Sequence, residues 1–573
     1  MNRIIGIIVG LLFCVCCRSG NKGNDSFVRL SGKPINGIRI AWDYNSVQQL
    51  APQAGRALAH AGYPRLKRLH DGILMVVYEA EGNAELIQSK DNGKTWSVPI
   101  VVMNKVHYTN AKGESTIINI ANPELLQLQN GNLVFACNYR PAKEEIAPYS
   151  IVIKRSKDFG KTWLKEQALF DAQPRFKDGC WEPAMLQLPN GELQIYFANE
   201  SPYVHSDEQE ISLLISHDNG ETWSKNPKTV SFRANRRDGM PVPLLDDNEI
   251  IVSIEDNKTE QFKPYIVRTK LLDNWSVPVR ENSPNREYAL KEEISDSIYV
   301  GAPYLIRTPS GEVILSCQTT KDRTSNWEKS TMEVAIGDKK GRYFDRLTQP
   351  FEVPLDKEAK WNSLSVWDNN TIAALSTTDF KTSSIGVSMI LGHIIPELKA
   401  IYGTVQDEQY YPVFVGHKGA AYLQAVVKCD SFNLYVFVKV NDNNIYTDPI
   451  DNQRIDGVNL YIDAGDYNLL FPDAGLFKIG CNHTGERKTY KGNKGKWEEF
   501  ELSVIQTKTN INNAENYYTI EFQIPFASID IKKHSSIRIN LELLKFSKNT
   551  QYKESIVNSD TNASNTWLQV EGL

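Results

Sequence analysis

The sequence predicts an all-β protein in which a six-bladed β-propeller is followed by a C-terminal β-sandwich. Three observations lead to this fold class. An octapeptide with Ser, Asp, Gly and Trp at fixed places occurs at residues 89–96, 156–163 and 216–223. A longer hairpin pattern returns six times at a period near sixty residues. After residue 396 that period stops, and stretches with the alternation of antiparallel strands begin.

The octapeptide is suited to a tight turn between two strands. Ser at its first place and Asp at its third can bond the turn backbone, Gly at the fifth suits a left-handed conformation, and Trp at the eighth can fill the space between strands. The copies are Ser89–Trp96, Ser156–Trp163 and Ser216–Trp223. They resemble the Asp box of sialidases and related propellers, and this resemblance implies an architectural role away from the chemistry.

The longer pattern, Pro-x-Leu-x-x-Leu-x-x-Gly-x-Leu, precedes each octapeptide position and fixes the number of blades. Its intervals are 59, 60, 57, 63 and 59 residues, counted between the turn residues Gly72, Gly131, Gly191, Asn248, Gly311 and Asn370. Two hairpins per period, the second carrying the Asp box, describe a four-stranded blade repeated six times over residues 40–396. Blades four and five keep only remnants of the box, Leu272–Trp275 and Gly337–Gly341.

Residues 399–573 carry alternating segments that predict a second, sandwich domain. These segments are Tyr402–Asp407, Phe432–Val440, Gly457–Asp463, Tyr518–Pro525 and Ile537–Leu543. Their order and motifs resemble carbohydrate-binding modules of family 9, which implies that the domain binds a glycan. A spacer or stabilising sandwich is the alternative, because only Trp497 and Trp567 are available in this region to stack on a sugar.

The N-terminus predicts export. Residues 1–17 combine Arg3 with an apolar run too short for a stable membrane span, and the run closes with Cys14, Cys16 and Cys17. It resembles a bacterial lipoprotein signal, which implies lipidation of Cys17, or of Cys16, with residues 18–39 as a tether. A plain cleaved signal peptide is the alternative. We expect an exported lipoprotein in the periplasm or on the outer-membrane surface, touching the membrane only through its lipid anchor.

Composition and motifs exclude several classes of function. The formal net charge of −5 provides no basic face for nucleic acid. No metal-binding, phosphate-binding or nucleotide-binding motif is present, so we expect no cofactor and no metal. Five cysteines lie beyond the N-terminus without a disulfide or zinc spacing, at Cys137, Cys180, Cys317, Cys429 and Cys481. We expect a monomer whose partner is an oligo- or polysaccharide.

The repeat also predicts which residues surround one mouth of the central channel. Both ends of the first hairpin of each blade face that mouth, and the Asp boxes face the other. The ninth position before each turn residue reads Tyr63, Asn122, Glu182, Gly239, Ala302 and Trp361, and the seventh after it reads Glu79, Asn138, Ala198, Glu255, Gln318 and Thr377. Glu182 and Glu255 thus come from neighbouring blades, whose inner strands can supply the separation that the two carboxyl groups of a glycosidase need.

Three strings around these glutamates resemble the exo-α-1,5-arabinanases of glycoside hydrolase family 93. They are Trp181-Glu-Pro183, Arg237-Asp-Gly-Met-Pro241 and the apolar strand Ile251–Glu255. The resemblance covers about residues 40–396. It implies an exo-acting, retaining hydrolase of arabinan or another arabinose-containing plant polysaccharide side chain, with Glu182 as acid/base and Glu255 as nucleophile. The order of these two roles stays open.

Other residues near this mouth are candidates for binding sugar. Asn122, Asn138 and Gln318 offer neutral groups to hydroxyls, and Trp181, Tyr304 and Trp361 offer flat faces to a ring. Arg237 and Asp238 belong to the arginine-containing string, and Arg65 is a further candidate for a hydroxyl-binding or structural role. Glu79, Glu200, Asp238 and Asp256 are rival carboxylates for the chemistry, and Glu182 and Glu255 could instead be rim carboxylates paired with Arg140 or Arg237.

Two alternative functions remain. A sialidase or other ulosonic-acid hydrolase needs three arginines from separate blades to hold the substrate carboxylate. Arg65 and Arg237 supply two, but blade five reads Gly301-Ala-Pro-Tyr304 where the third would be expected. The second alternative is a propeller that binds glycans without catalysis, against which the presence of both Glu182 and Glu255 argues.

Overall fold

The computed structural model describes residues 37–380, 384–402, 413–416, 421–447, 454–533, 535–547, 551–556 and 559–573. The described chain forms two compact units, Gly37–Pro396 and Glu397–Leu573. The predicted signal peptide, its lipidation site Cys17 and most of the tether lie outside the described residues. In the part that is described, no helix is long and apolar enough to cross a membrane.

The first unit consists of strands joined by turns and three short 3-10 helices. The helices are Phe176–Asp178, Ser201–Tyr203 and Trp327–Lys329. The strands are β1 (Gly37–Ala51), β2 (Ala61–Arg68), β3 (Leu74–Ala80), β4 (Asn83–Ser89), β5 (Ile100–Met103), β6 (Val106–Thr109), β7 (Ser115–Gln127), β8 (Leu133–Pro141), β9 (Ser150–Ser156), β10 (Gln167–Asp171), β11 (Cys180–Gln187), β12 (Leu193–Asn199), β13 (Glu210–Ser216), β14 (Lys228–Ser231), β15 (Asp238–Leu245), β16 (Glu249–Thr259), β17 (Gln261–Lys270), β18 (Arg286–Tyr288), β19 (Val300–Arg307), β20 (Val313–Thr319), β21 (Thr331–Ile336), β22 (Asp345–Thr348), β23 (Ala359–Asp368), β24 (Thr371–Thr378) and β25 (Gly386–Lys399).

These strands form six antiparallel blades, as the period near sixty residues predicts. Four blades are four-stranded sheets in sequence order: β2 to β5, β11 to β14, β15 to β18 and β19 to β22. The second blade, β7 to β10, gains β6 beside β7. In the sixth blade, β23, β24 and β25 are joined by β1. The first strand of the unit therefore closes the ring.

Each innermost strand carries a β-bulge near the same mouth of the channel. One residue per bulge has a positive φ, between 47° and 54°: Tyr63, Asn122, Glu182, Met240, Ala302 and Trp361. The prediction placed Gly239 at this position in blade four, which is wrong by one residue. In that blade Leu245 pairs with Ile250 across a turn one residue shorter than the turn between Gln187 and Leu193 of blade three. The bulges bend the strands and direct selected side chains toward the mouth.

The Asp boxes close hairpins at the opposite end of the blades. In the first box the Gly93 N–H donates to Ser89 Oγ at 2.8 Å and the Thr95 N–H donates to Asp91 Oδ1 at 2.9 Å. Gly93 has a φ of 79°, and a Cβ there would lie 2.4 Å from the Trp367 ring. The second and third boxes repeat these bonds. The boxes therefore support the turns and lie away from Glu182 and Glu255.

The second unit is a β-sandwich, as its alternating segments predict. Its strands are β26 (Ile401–Tyr402), β27 (Val413–Gly416), β28 (Tyr422–Cys429), β29 (Asn433–Asn441), β30 (Gly457–Asp463), β31 (Leu476–Asn482), β32 (Arg487–Asn493), β33 (Lys496–Glu499), β34 (Gln506–Asn512), β35 (Tyr517–Pro525), β36 (Ile537–Phe546), β37 (Gln551–Ser555) and β38 (Leu568–Glu571), with 3-10 helices at Phe526–Ser528 and Ser564–Thr566. One sheet contains β26 to β29, β34 and β35, and the other contains β30 to β33 and β36 to β38. Buried aliphatic side chains of both sheets form the core.

Candidate active site

Glu182 and Glu255 project from neighbouring blades toward one dipeptide of β15. The Met240 N–H donates to Glu182 Oε2 at 3.3 Å. A Cβ built on Gly239 would lie 3.1 Å from Glu255 Oε1. The two carboxyl groups therefore flank the Gly239-Met240 segment, and glycine at 239 leaves room for the second of them.

Glu182 is held in a setting that favours its protonated form. Burial raises its pKa to about 8, and the charge of Glu255 adds to the rise. Arg140 and the Met240 N–H oppose the shift. Among the described residues Glu182 forms no ion pair, so its carboxyl group is not neutralised by a fixed partner. A carboxylic acid that keeps its proton at neutral pH can act as a general acid.

Glu255 is the more acidic member of the pair. Burial raises its pKa to about 7. The Ala302 N–H, which donates to Oε2 at 2.8 Å, and the charge of Arg237 both oppose this rise. One carboxylate oxygen is thus fixed by the backbone, while Oε1 faces Gly239. In the described chain Glu255 also takes part in no ion pair. This arrangement suits an ionised carboxylate with one oxygen free to react.

The bond between Glu255 and Ala302 belongs to a series that joins successive blades. In each case a side chain at the mouth end of a blade's second strand accepts the N–H of the bulge residue in the next blade. The bonds are Glu79 with Asn122 at 2.7 Å, Glu255 with Ala302 at 2.8 Å, Gln318 with Trp361 at 2.7 Å and Thr377 with Tyr63 at 2.8 Å. We call these the inter-blade bonds.

The series is interrupted at two junctions. Between blades two and three, Asn138 Oδ1 has no hydrogen-bond partner in the described chain. The second interruption lies where blades three and four meet. The corresponding residue of blade three is Ala198, which has no acceptor, and the Met240 N–H is bonded by Glu182 instead. Ala198 pairs with Trp181 in the sheet and is fully buried. The small side chain of Ala198 therefore leaves space for the Glu182 carboxyl group and leaves the Met240 N–H free to bond it.

Glu200 organises the residues beside this pair. Its carboxylate accepts from Trp181 Nε1 at 3.1 Å and from Gln209 Nε2 at 3.0 Å, and it is bonded by the Arg237 guanidinium. Burial raises its pKa despite these partners. Glu200 is therefore committed to orienting Trp181 and Arg237, which makes it a weak rival for the catalytic role.

Residues 42–289 match the family model described as the BNR repeat-like domain. Residues 400–570 match the carbohydrate family 9 binding domain-like model. Among solved structures, an α-L-arabinanase of Penicillium chrysogenum complexed with arabinobiose is 20% identical, covers 62% of this chain and 97% of its own, and has a TM-score of 0.45.

Two further solved structures were similar. The NanB sialidase of Streptococcus pneumoniae is 14% identical, covers 60% of this chain and 70% of its own, and has a TM-score of 0.43. A family 9 carbohydrate-binding module of Caldicellulosiruptor kristjanssonii in complex with glucose is 9% identical, covers 31% of this chain and 95% of its own, and has a TM-score of 0.25. A search of curated proteins found no match.

Asp238 and Asp256 lie in the interior of the propeller. Arg286 donates to both oxygens of Asp238, at 2.9 and 2.5 Å, and to Asp256 at 2.7 Å. Arg233 pairs with Asp256 at 2.8 Å. Both aspartates are fully buried. Their ion pairs with Arg286 and Arg233 stabilise blade four. This geometry does not fit the expectation that Asp238 contacts substrate, and it does not fit either aspartate as a catalytic residue.

Arg65 and Tyr304 lie in the channel wall. Arg65 is 3% exposed, its Nε is 3.3 Å from Glu124 Oε2, and its guanidinium lies 4.0 Å from the centre of the Tyr63 ring and 4.9 Å from that of Tyr304. The Tyr304 hydroxyl accepts from Lys67 at 3.3 Å. These contacts favour the structural one of the two roles predicted for Arg65, and they leave Tyr304 only 4% exposed for the sugar-binding role predicted for it.

The three predicted amides differ in their exposure and in how many of their hydrogen-bonding atoms remain free for a ligand. Gln318 is fully buried and bonded at both ends, to the Trp361 N–H and to the Tyr299 hydroxyl at 2.9 Å. Asn138 is fully buried, and its Nδ2 donates to two backbone carbonyls. Asn122 is 6% exposed, and its Oδ1 has no hydrogen-bond partner in the described chain. Asn138 Oδ1 likewise has no partner in the described chain, so exposure distinguishes the two residues, and Asn122 stays the amide we expect to contact sugar.

The predicted tryptophans lie on opposite sides of the mouth. Trp181 is 5% exposed and packs against Phe176, with ring centres 4.8 Å apart. Trp361 is half-buried, with its ring 6.4 Å from Tyr63 and 6.2 Å from Trp327. Both are anchored, and the exposed rings next to them are Phe176 and Trp327.

Sequence reasoning missed three residues that the structure places at this mouth. The Tyr299 hydroxyl lies beside Glu255 Oε2. Both oxygens are so close to Gly301 that each would clash with a Cβ built there. Trp327 comes from a connection that the repeat does not cover. Arg140 was considered only as a partner for the glutamates, yet it lies over the Trp181 ring at 5.0 Å and forms no ion pair among the described residues. No repeat position marks any of the three, so only the folded mouth reveals them.

Proposed function

We propose that this protein is an exo-acting, retaining glycoside hydrolase of arabinan or another arabinose-containing plant polysaccharide side chain. The observation that carries the proposal is the pair of half-buried carboxyl groups, Glu182 and Glu255, that converge on Gly239-Met240 from neighbouring blades. Hydrolysis of a glycosidic bond with retention needs two such groups, one protonated and one ionised.

The contacts of the two carboxyl groups support one order of roles: the Ala302 N–H stabilises ionised Glu255, and the charge of Glu255 favours protonated Glu182. Protonated Glu182 donates its proton to the glycosidic oxygen while Glu255 Oε1 attacks the anomeric carbon, so the leaving sugar departs with the proton and a glycosyl ester forms. Glu182, now ionised, takes a proton from water, and the resulting hydroxide displaces Glu255 from the anomeric carbon. The product keeps its configuration, and both carboxyl groups return to their starting states.

The geometry supports an arabinose-containing substrate over a sialic acid. A sialidase needs three guanidinium groups converging on one substrate carboxylate. Arg65, the candidate in blade one, is buried against Glu124 and two tyrosine rings, and Arg237 is bonded to Glu200. The strings Trp181-Glu-Pro183 and Arg237-Asp-Gly-Met-Pro241 carry the resemblance to arabinanases.

Product analysis tests the proposal. Purified protein is incubated with linear arabinan and with a sialylated glycan, and the anomeric form first released is read by proton NMR. We expect arabinose-containing products of retained configuration, and activity lower by about 1,000-fold or more in Glu182→Gln and Glu255→Gln. Cleavage of the sialylated glycan alone, or activity that survives in both variants, would overturn it.

The chain offers a matched control for the glutamate variants. Glu79 holds the same inter-blade position in blade one as Glu255 does in blade four. Gln318 shows that an amide can make the inter-blade bond, so Glu255→Gln should keep the fold and lose only the nucleophile. Glu79→Gln should retain wild-type activity.

We also propose that the sandwich binds glycan through a groove on the sheet of β30 to β32. The groove has a volume of about 250 Å³, and its lining includes Asn459, Lys478 and Tyr490. Trp567 is fully buried and cannot stack on a sugar. Affinity electrophoresis through arabinan should show retardation that Lys478→Ala and Tyr490→Ala reduce, while unretarded wild-type protein would contradict glycan binding.

The proposal includes export and lipid anchoring at Cys17. This follows from the sequence of residues 1–17. Cys17→Ala should move the protein from the membrane fraction to the soluble exported fraction. Retention of the variant in the membrane would point to Cys16 or to another anchor.

A further inference from the structure

An exposed aromatic platform lies next to the Glu255 side of the mouth. Trp327, in the 3-10 helix between β20 and β21, is 43% exposed although it is a large apolar side chain. Its ring meets Tyr299 at 6.3 Å and 61° and Trp361 at 6.2 Å and 67°. Both neighbours contact it in edge-to-face geometry. The contacts fix the plane of the indole without removing it from solvent.

The platform is held rigidly from one side. The Lys360 ammonium lies 4.9 Å from the centre of the Trp327 ring and is anchored by Glu328 and by Glu358 at 3.3 Å. Asn326 caps the helix by accepting the Glu328 N–H. A side chain fixed in this way loses little conformational entropy when a ligand stacks on it.

The platform is connected to the reacting carboxylate by one residue. Tyr299 touches Trp327 through its ring, and its hydroxyl lies beside Glu255 Oε2 across Gly301. A sugar whose anomeric carbon faces Glu255 therefore has Trp327 about one ring further along the same wall.

The charges around the platform indicate what kind of sugar it accepts. Lys360 is matched by two carboxylates, Glu328 and Glu358, and Glu255 lies beyond Tyr299. A uronate or sialic acid at this place would meet excess negative charge, whereas a neutral ring offers apolar C–H faces to the indole.

We propose that Trp327 forms a subsite for a second, neutral sugar residue, one unit away from the bond that is cleaved. The inference rests on the proposed function, because it places the cleaved bond at Glu255. The site binds chains of at least two sugars better than single sugars, and Trp327 supplies the difference.

Calorimetry on the inactivated Glu182→Gln protein tests this subsite. L-arabinose and α-1,5-linked arabinotriose are titrated into it, with and without Trp327→Ala. Since stacking on an aromatic ring contributes about 1 kcal/mol, the affinity for the triose should fall roughly fivefold and that for arabinose should not change. Trp327→Phe should restore most of the loss. Tyr343→Ala, which removes a 67% exposed ring at the Asp-box face, is the control and should change neither.

Three results would overturn the subsite: an unchanged affinity for the triose in Trp327→Ala, an equal loss for triose and arabinose, or no binding of the triose. Cleavage by the wild-type protein is measured separately. Trp327-dependent binding of a triose that wild-type protein does not cleave would leave the subsite standing and refute the proposed hydrolysis.

Discussion

An ordinary glutamate loses its proton near pH 4.5, whereas the mouth of this propeller raises the pKa of Glu182 to about 8 and that of Glu255 to about 7. Burial is the main cause in both. The difference between them arises because the Ala302 N–H, at 2.8 Å, stabilises ionised Glu255, while the negative charge of Glu255 disfavours ionised Glu182. Two residues of one type thereby become suited to opposite roles.

The pair predicts a bell-shaped dependence of kcat/KM on pH. Activity should rise near pH 7, as Glu255 ionises, and fall near pH 8, as Glu182 loses its proton. A 4-nitrophenyl arabinofuranoside needs little acid assistance, so Glu182→Gln should keep measurable activity on it and lose the alkaline limb. An unchanged alkaline limb in the variant would show that another group is the acid.

The same shift predicts how stability depends on pH. A carboxyl group whose pKa is raised by folding stabilises the protein below its ordinary pKa, and this contribution is lost as the pH rises through the raised value. Glu182→Gln removes the cost of a buried charge. We expect the variant to be about 1–2 kcal/mol more stable than wild type at pH 8, and nearly equal at pH 5. Thermal unfolding at the two pH values measures this, and equal stability at both would contradict it.

At the scale of strands, the position of Glu182 depends on an interruption in a regular series. Four of the six blade junctions are joined by an inter-blade bond from a side chain of the second strand, and the junctions of blades two with three and three with four are not. Ala198 cannot make this bond, and the free Met240 N–H is taken by Glu182. The proposed active site thus uses a backbone donor of a kind that the other junctions use to join the blades.

Restoring the bond should therefore damage catalysis. In Ala198→Gln the new amide should accept the Met240 N–H, as Gln318 accepts that of Trp361, and displace the Glu182 carboxyl group. A displacement of about 1 Å costs on the order of 100-fold in rate, so we expect that loss in kcat with the fold retained. Thr377→Val removes an inter-blade bond far from the carboxylates and should lower stability while leaving kcat unchanged. Wild-type kcat in Ala198→Gln would show that this donor does not position Glu182.

The strands also show which parts of the fold could be predicted from the sequence and which could not. Glycine and asparagine turns at regular intervals revealed six blades, because a turn restricts the residue types it accepts. The bulges were not visible, since their left-handed positions hold residues as different as Tyr63, Glu182 and Ala302. The burial of Asp238 could not be predicted from the sequence either, because Arg286, which neutralises it, lies 48 residues further along the chain. Glu182 and Glu255 could be proposed as a pair because the turns alone set their place.

At the scale of the whole molecule, the propeller is a closed ring rather than an open array of repeats. Strand β1 pairs with β25 and completes the sixth blade, so the two ends of the unit meet in one sheet. In an open array each repeat contacts only its neighbours, and damage at one end need not reach the other. Closure gives every blade two neighbours, although each sheet keeps its own short edge strands. We therefore expect the unit to unfold in one cooperative transition.

Trp42 on β1 allows this closure to be tested. Its side chain is 5% exposed, lies against Gly392 of β25, where a Cβ would come within 2.5 Å of the indole, and donates to Thr348 of blade five at 3.1 Å. Trp42→Ala should destabilise the propeller by about 3–5 kcal/mol, as a buried tryptophan does. Because the ring is closed, the loss should appear as a lower midpoint of the whole propeller transition in calorimetry, and activity should disappear at that same temperature.

The matched control is Trp567→Ala, which removes a fully buried tryptophan from the sandwich. Separate domains often unfold independently, so this change should lower the midpoint of a different transition and leave the temperature of activity loss unchanged. If the Trp42→Ala protein instead shows an early, partial unfolding transition and stays active above the temperature of that transition, blade six opens alone. The carboxylates of blades three and four would then be independent of closure, and the ring would behave as an open array.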